Sequence, residues 1–267
     1  LDLAAGSLID VAGGSDYGSG GGIVHFRVPF LDAAAQTIGA HVFGANIVNA
    51  TAVILEPYQR IDLGTAAFNN GVIDTAARWA AIFAAFANPA TSFGATTQAL
   101  QQALGSRLFV MPGLELVNDN PAVNSGDITI TASLDLLGKR YDALRQFPGI
   151  LSIRAAGDLR IDASISDGFS AANAADNTTA KANLLTCTTA ASCSGLTSWS
   201  YNLVAGARSG SADPLAVEQA AVFASGGALQ NHGNFVFGSV PQMGQTNTSA
   251  PLGKNDIIRT GTGWINV

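Results

Sequence analysis

Short runs of alternating apolar and polar residues recur along the chain, and a glycine precedes many of them. Alternation with a period of two places one set of side chains on one face of a β-strand. Between Gly149 and Asp162 the residues expected to point inward are Leu151, Ile153, Leu159 and Ile161. The residues expected to point toward water are Ser152, Arg154, Arg160 and Asp162. The pattern therefore predicts half-buried strands of three to five residues.

Similar strands are predicted throughout the chain. Those with a leading glycine begin at Gly22, Gly126, Gly149, Gly157 and Gly263. Further strands without one are predicted around Leu1 and Leu3, Ile9 and Val11, Val53 and Leu55, and Leu134 and Leu136. This recurrence predicts an all-β fold.

The joints between these strands indicate how the strands pair. Gly149 and Gly157 are eight positions apart, and the joints Ala-Ala-Gly and Ala-Ser are too short for a crossover helix. The Asn-Gly and Asp-Gly turns that favour hairpins are absent there. A chain that turns a corner at each joint, always in the same sense, satisfies both observations. We therefore predict a parallel β-helix, or solenoid, over residues 1–267.

Three regions interrupt the strand pattern. Residues 72–106 are predicted to form a helical insertion, with one helix capped by Asp74 or Thr75 and ended by Asn88-Pro89. A second helix is predicted over Thr97–Leu104, with Gly105 as its stop. Residues 170–198 and 238–254 are polar and are predicted to be long surface loops.

Composition and charge narrow the functional classes. Of the 267 residues 48% are hydrophobic and 12% are charged, so the chain has enough apolar material for a core and is not expected to be disordered. The formal net charge of −6 argues against nucleic acid or an anionic membrane surface as the main partner.

Several segments, spread in order along the chain, resemble the filamentous haemagglutinin family of large bacterial surface proteins. The principal ones are GILSIRAAGDLRIDASISDGF at 149–169, SLIDVAGGSDYGSGGGIVHFRVP at 7–29 and SWSYNLVAGARSGSADPLAV at 198–217. Shorter matches are VMPGLEL at 110–116 and IIRTGTGWINV at 257–267. The resemblance implies a right-handed β-helix, two-partner secretion through an outer-membrane transporter, and an adhesive or structural role at the bacterial cell surface. The helical insertion has no recognised counterpart in that family.

Cys187 and Cys193 are the only cysteines. Because disulfides persist outside the cell, export would favour a disulfide between these two cysteines that closes a surface loop. Two free thiols are the alternative. A metal site would need more ligands than this pair supplies, and no second Cys or His pair lies nearby in the sequence.

The histidines and carboxylates give little indication of catalysis or metal binding. His25, His41 and His232 lie far apart and are expected to be solvated or hydrogen-bonded. Asp158, Asp162 and Asp167 are close enough in sequence to supply the two carboxyls of a glycosidase, or they serve solubility. Only 13 basic residues are available to bind an acidic sugar, which argues against a cleft that cleaves such polymers, so we expect no catalysis. We also expect no cofactor. Calcium at the Asp-rich corners would require a repeated Asp/Gly nonapeptide that is absent.

Aromatic residues are the remaining candidates for binding. Trp199, Tyr201, Tyr17 and Phe169 are able to stack on a sugar ring or to contact a protein. Alternatively, Trp199 and Tyr201 fill the interior, because they alternate with Ser198 and Ser200 as in a strand. Strand alternation favours this second interpretation.

These observations lead to the hypothesis of an exported, cell-surface β-helix that is structural and adhesive, and that displays loops to glycans or proteins. The alternatives are a polysaccharide hydrolase or lyase on the same scaffold, and the stalk of a toxin-delivery protein. Both chain ends have strand patterns, so their edges are expected to pair with more of a longer chain or end to end with another copy.

Overall fold

The computed structural model describes residues 2–12, 21–32, 37–39, 42–86, 100–136, 139–141, 148–167, 198–238, 258–260 and 263–267. The chain forms two compact units. The first comprises Leu1–Gln59, Phe86–Leu114 and Arg140–Ile150, and the second comprises Arg60–Ala85, Glu115–Lys139 and Leu151–Val267. None of the helices in the described ranges has both the length and the apolarity needed to cross a bilayer.

Short β-strands dominate the described residues. In chain order they are β1 (Asp2–Leu3), β2 (Leu8–Asp10), β3 (Gly22–Asp32), β4 (Thr37–Ile38), β5 (Val42–Phe43), β6 (Asn46–Val48), β7 (Ala50–Asp62), β8 (Val72–Ile73), β9 (Leu108–Val110), β10 (Gly113–Asn118), β11 (Ile128–Ile130), β12 (Leu134–Asp135), β13 (Ile150–Ala155), β14 (Leu159–Ile161), β15 (Ile165–Ser166), β16 (Ser200–Val204), β17 (Phe235–Phe237), β18 (Ile258–Arg259) and β19 (Ile265–Asn266). The helices whose bounds are described in full are α1 (Ala76–Ala85) and α2 (Ala220–Phe223), and the described 3-10 turns are Ala66–Phe68, Gly105–Arg107 and Asn124–Gly126. An all-β fold is confirmed.

The strands form three main sheets and two smaller pairs. The largest sheet has the order β19-β16-β13-β10-β7-β3-β4, with β9 also paired to β7. The second has the order β17-β14-β11-β8, and the third has the order β12-β15-β18. The pairs are β1 with β5 and β2 with β6. Ten of the strand pairings are parallel and that of β3 with β4 is antiparallel, so the predicted parallel pairing is confirmed for most of the fold.

The chain passes through the three main sheets repeatedly in one order. It runs through β10, β11 and β12, then β13, β14 and β15, then β16, β17 and β18. We call each such passage a circuit. Ile128 pairs with Leu159 in one sheet and Leu134 with Ile165 in another, and both pairs are 31 positions apart. Residues in successive circuits therefore occupy equivalent positions.

The inward-facing residues are placed as predicted. Leu151, Ile153, Leu159 and Ile161 are fully buried. Ser152 and Arg154, which were predicted to face water, are also buried, so the prediction is wrong for them. The Arg154 guanidinium donates to the carbonyl oxygens of Arg208 and Asp213, and the Ser152 hydroxyl oxygen accepts from Asn202. The segment 205–218 thus contacts Arg154, and Asn202 of β16 contacts Ser152; alternation alone does not reveal either contact.

The predicted strand length of three to five residues is wrong for several strands, most clearly for β3 and β7, which have 11 and 13 residues. The physical reason is visible in the sequence, because the next glycine after Gly22 is Gly39 and the next after Gly44 is Gly64. Without a glycine to permit a sharp turn, each strand continues in extended conformation.

The helical insertion is present in its described parts. Helix α1 begins after Thr75, whose hydroxyl accepts a hydrogen bond from the Arg78 N–H at 3.3 Å. Its buried face includes Trp79, whose indole N–H donates to the Ala132 carbonyl at 2.8 Å. Residues 100–104 are helical and a 3-10 turn follows them, whereas 87–99 lie outside the described residues. The predicted loops 170–198 and 238–254 also lie outside them, apart from Ser198 and Gly238.

Candidate functional site

Two aspartates and a histidine that are far apart in sequence meet in the second unit. Asp127 directly precedes β11, Asp158 directly precedes β14, and Asn234 occupies the same position before β17. The parallel registers of these three strands place the three residues side by side in successive circuits. His232 lies two positions before Asn234 and joins the two carboxylates.

One oxygen of each carboxylate holds the backbone of the next circuit. Asp127 Oδ1 accepts the Asp158 N–H at 2.7 Å, and Asp158 Oδ1 accepts the Asn234 N–H at 2.8 Å. The Asn234 side-chain amide also donates to Asp158 Oδ1 at 3.0 Å. Asp127, Asp158 and Asn234 therefore form a ladder in which each step ties one circuit to its neighbour.

The imidazole of His232 faces both carboxylates. Its Nδ1 lies 3.1 Å from Asp127 Oδ1 and 3.7 Å from Asp158 Oδ2. A tight turn positions it, because the His232 N–H donates to the Leu229 carbonyl and Asn231 and Gly233 adopt positive φ angles of 65° and 89°. One donor atom from each side chain lies within 4.8 Å of the others, an arrangement able to hold a metal ion.

His232 is expected from the sequence to be hydrogen-bonded or solvated, and it is hydrogen-bonded to Asp127. The cluster itself is not predicted, because His232 lies 105 positions from Asp127. A signal for its position exists in the sequence. Gly126-Asp127, Gly157-Asp158 and Gly233-Asn234 are three copies of one dipeptide pattern, each directly before a strand of one sheet.

A second polar cluster lies in the first unit, on β3 and β7. The Glu56 side chain is buried, and its oxygens lie 2.8 Å from His25 Nε2 and 3.1 Å from Arg27 Nε. The Arg27 guanidinium also lies 3.6 Å from the centre of the Tyr58 ring. A buried carboxylate requires such compensation, so this cluster stabilises a cross-strand contact. His25 is about one-third exposed and contacts Glu56, which agrees with the expectation of a solvated or hydrogen-bonded histidine.

A third cluster centres on Arg154. Arg154 Nη1 lies 3.3 Å from Glu115 Oε1, and both side chains are almost fully buried. Arg60 lies 3.8 Å from the same carboxylate and forms a closer pair with Asp119. Arg154 Nη2 donates a hydrogen bond to the Arg208 carbonyl oxygen at 2.7 Å. This arrangement anchors the segment 205–218.

The candidate binding aromatics that the structure describes are interior residues. Trp199 and Tyr201 are fully buried. The Trp199 indole N–H donates to the Lys139 carbonyl, and its ring meets Phe83 edge to face at 6.3 Å. The Tyr201 hydroxyl donates to the Arg259 carbonyl at 3.0 Å. The binding interpretation of Trp199 and Tyr201 is therefore corrected, because neither ring is accessible to a ligand.

The remaining predicted site residues divide into two groups. Tyr17, Phe169, His41 and the pair Cys187 and Cys193 lie outside the described residues. Of the carboxylates considered for catalysis, Asp167 is buried and accepts the Trp199 N–H at 2.7 Å, whereas Asp162 pairs with Arg160. Asp158 instead joins Asp127 and His232. The three thus make separate structural contacts.

Within the described ranges, three groups have displaced pKa values. Burial raises the pKa of Tyr141, whose ring packs edge to face on Phe86. A hydrogen bond from Asn49 lowers the pKa of Asp10, helped by the Ala12 N–H. A hydrogen bond from Arg78 lowers the pKa of Asp74 at the start of α1.

Comparisons with protein-family models, with curated proteins and with solved structures find no match to this chain. The sequence pattern and the geometry of the clusters therefore carry the functional argument.

Proposed function

We propose that the chain is a segment of an exported, right-handed parallel β-helix that acts at the bacterial cell surface as a structural and adhesive rod, without catalysis. The observation that carries the proposal is the repeated passage through three parallel sheets in one order, with equivalent residues 31 positions apart between the circuit β10–β12 and the circuit β13–β15. One such circuit cannot bury its apolar face alone, whereas stacked circuits share a continuous core. Stacking of this kind generates an elongated scaffold.

The use of polar groups supports a scaffold role. The buried charges of Glu56 and Arg154 are compensated by neighbouring strands or by the covering segment 205–218. Asp127, Asp158 and Asp167 each hold a backbone N–H of another segment. These contacts tie segments of the chain together.

The resemblance to filamentous haemagglutinins supplies the rest of the proposal. It implies an outer-membrane transporter as the export partner, and surface glycans or proteins as receptors of the displayed loops. Strands β17, β18 and β19 are the last members of their sheets. Pairing on their outer edges would continue the scaffold, either within a longer chain or with another copy.

Protease treatment of intact cells that produce the native protein tests the location. We expect the protein to be cleaved from the outside, and deletion of its gene to reduce attachment of the cells to glycan-coated or protein-coated surfaces. The control is the deletion strain complemented with the gene. Protection of the protein until the cells are lysed, or unchanged attachment by the deletion strain, would contradict the proposal.

The two alternative functions, a polysaccharide-active enzyme and a toxin-delivery stalk, predict different observations. Incubating the purified chain with pectic and other uronic-acid polymers tests for an enzyme. New reducing ends would indicate a hydrolase and unsaturated ends a lyase, and either product would overturn the non-catalytic proposal. A toxin domain in the complete reading frame would instead favour a delivery stalk.

A further inference from the structure

We propose that Asp127, Asp158 and His232 bind one divalent transition-metal ion of the Zn²⁺ class. The three side chains come from three segments of the second unit, and one donor atom of each lies within 4.8 Å of the others. Between about one-fifth and one-third of each side chain is exposed, so an ion can enter while the site is partly shielded from water. This inference does not depend on the proposed adhesive function.

Each carboxylate retains an oxygen for an ion. The Oδ1 atoms of Asp127 and Asp158 accept the backbone N–H groups of the ladder. Their Oδ2 atoms accept no hydrogen bond from the described residues, and His232 Nδ1 lies 3.7 Å from Asp158 Oδ2. Two neighbouring carboxylates repel each other, and a bound dication replaces this repulsion with attraction.

The ligands are held in place by the backbone before any ion binds. Asp127 and Asp158 are fixed by the ladder, and His232 is fixed by the turn that ends at Gly233. Gly157 contributes by lacking a side chain, since a Cβ there would lie 2.1 Å from Asp127 Oδ1. Ligands that are already ordered lose little conformational entropy on binding.

The donor set determines the class of metal. One imidazole nitrogen and two carboxylate oxygens suit Zn²⁺, which takes three protein ligands and a water in a tetrahedral site. Ca²⁺ requires six to eight oxygen ligands and is therefore disfavoured. A bound ion would connect residues 105 positions apart and would raise the melting temperature, because the unfolded chain does not preserve the site.

The test uses the full chain, stripped of metal with a chelator and titrated with ZnCl₂ or CaCl₂ in a calorimeter. We expect one Zn²⁺ ion per chain to bind at this cluster and to raise the melting temperature. Ca²⁺ should have little effect on either measurement. CoCl₂ provides a spectroscopic probe, because four-coordinate Co²⁺ absorbs visible light much more strongly than hydrated Co²⁺.

Variants locate the ion. Asp127→Asn and Asp158→Asn keep the oxygen that accepts the backbone N–H and remove the charge, and His232→Gln removes the imidazole. Each should weaken Zn²⁺ binding by at least about tenfold and reduce the Co²⁺ absorption. Asp162→Asn is the matched control and should bind as the unmodified chain does. Circular dichroism verifies that each variant is folded.

Three results would overturn the proposal. The first is no Zn²⁺ binding by the unmodified chain. The second is equal Zn²⁺ binding by the unmodified chain and the three variants, which would place the ion elsewhere. The third is Ca²⁺ binding as tight as Zn²⁺ binding, which would refute the metal class. If the variants do not fold, the Co²⁺ spectrum of the unmodified chain is the test. The absence of the four-coordinate absorption would then overturn the proposal.

Discussion

Ile161 illustrates how single side chains stabilise the second unit. It is fully buried and pairs in register with Ile130 and Phe237 of the neighbouring strands. Replacing it with alanine removes apolar contacts and leaves a cavity, so Ile161→Ala should lower the free energy of unfolding by about 2–5 kcal/mol. Urea denaturation measures the change. Ile23→Ala is the control, because Ile23 is 60% exposed and its loss should have a much smaller effect.

The buried pair of Arg154 and Glu115 should be sensitive to loss of one partner. Arg154→Met removes the guanidinium that lies 3.3 Å from the buried Glu115 carboxylate, while Arg60 stays at 3.8 Å, and it should lower the free energy of unfolding by about 3 kcal/mol. It should also make the segment 205–218 more susceptible to proteolysis, because the hydrogen bond to the Arg208 carbonyl is lost.

The double variant Arg154→Met, Glu115→Gln tests the cause of that loss. Removing both charges should recover part of the stability, since the buried Glu115 side chain then carries no charge that Arg154 would have to compensate. Equal stability of the single and double variants in urea denaturation would show that lost packing, and not the charge on Glu115, dominates.

The Asp74 carboxyl should titrate below the ordinary range of aspartate, because Arg78 donates to it. A pKa lowered by folding contributes stability above the unfolded pKa of about 3.9, and this contribution is lost as the pH falls through the folded pKa. NMR titration should show the Asp74 pKa rising in Arg78→Met. An unchanged pKa in that variant would contradict the assignment of its cause.

Helix α1 depends on its first turn. Thr75 is the N-cap, with its hydroxyl 3.3 Å from the Arg78 backbone nitrogen. Thr75→Ala should therefore lower the free energy of unfolding by about 1 kcal/mol, whereas Thr75→Ser retains the hydroxyl and should cost much less. Thermal and urea denaturation of the two variants provide the comparison. Equal losses would indicate that the threonine methyl, and not the cap, is responsible.

Elements were predictable from the sequence where a local pattern determines them. Glycine-led alternation located β11, β13, β14 and β19, and the capping residues Asp74 and Thr75 located the start of α1. The burial of Ser152 and Arg154 was not predictable in this way, because their partners Asn202 and Arg208 lie 50 and 54 positions further along the chain. Alternation specifies which side chains share a face, but it does not specify what covers that face.

The site shows the same division between local and distant information. The positions of Asp127 and Asp158 follow from the Gly-Asp pattern, once the 31-residue step between circuits is known. The approach of His232 does not follow, because 76 residues separate Asp158 from Asn234 and this circuit is longer than the previous one. A single sequence does not specify where the extra residues lie.

The spacing of circuits leads to a prediction for the whole molecule. Deleting residues 129–159 joins Ile128 to Arg160, which takes the place of Thr129 in the register. The inward and outward faces are then preserved, so this 31-residue deletion should fold with reduced stability. The deletion should carry Glu115→Gln, because Arg154 is removed with the deleted residues.

The control deletion removes residues 129–158 and joins Ile128 to Leu159. It is one residue shorter, and it directs apolar side chains outward because a strand alternates with a period of two. Far-ultraviolet circular dichroism and urea denaturation should show a cooperative transition for the 31-residue deletion only. Similar transitions for both deletions would mean that the 31-residue step does not set the register.

The long separations between paired residues also have a kinetic consequence. Backbone partners in neighbouring circuits lie 31, 64 and 76 positions apart, so the fold has a high contact order and each pairing closes a large loop. A polypeptide of this kind gains little structure until a complete circuit is available, and its assembly then advances one circuit at a time. For the export proposed above, such delayed folding would keep the chain unfolded while it passes through the outer-membrane transporter. Folding outside the cell would then oppose its return.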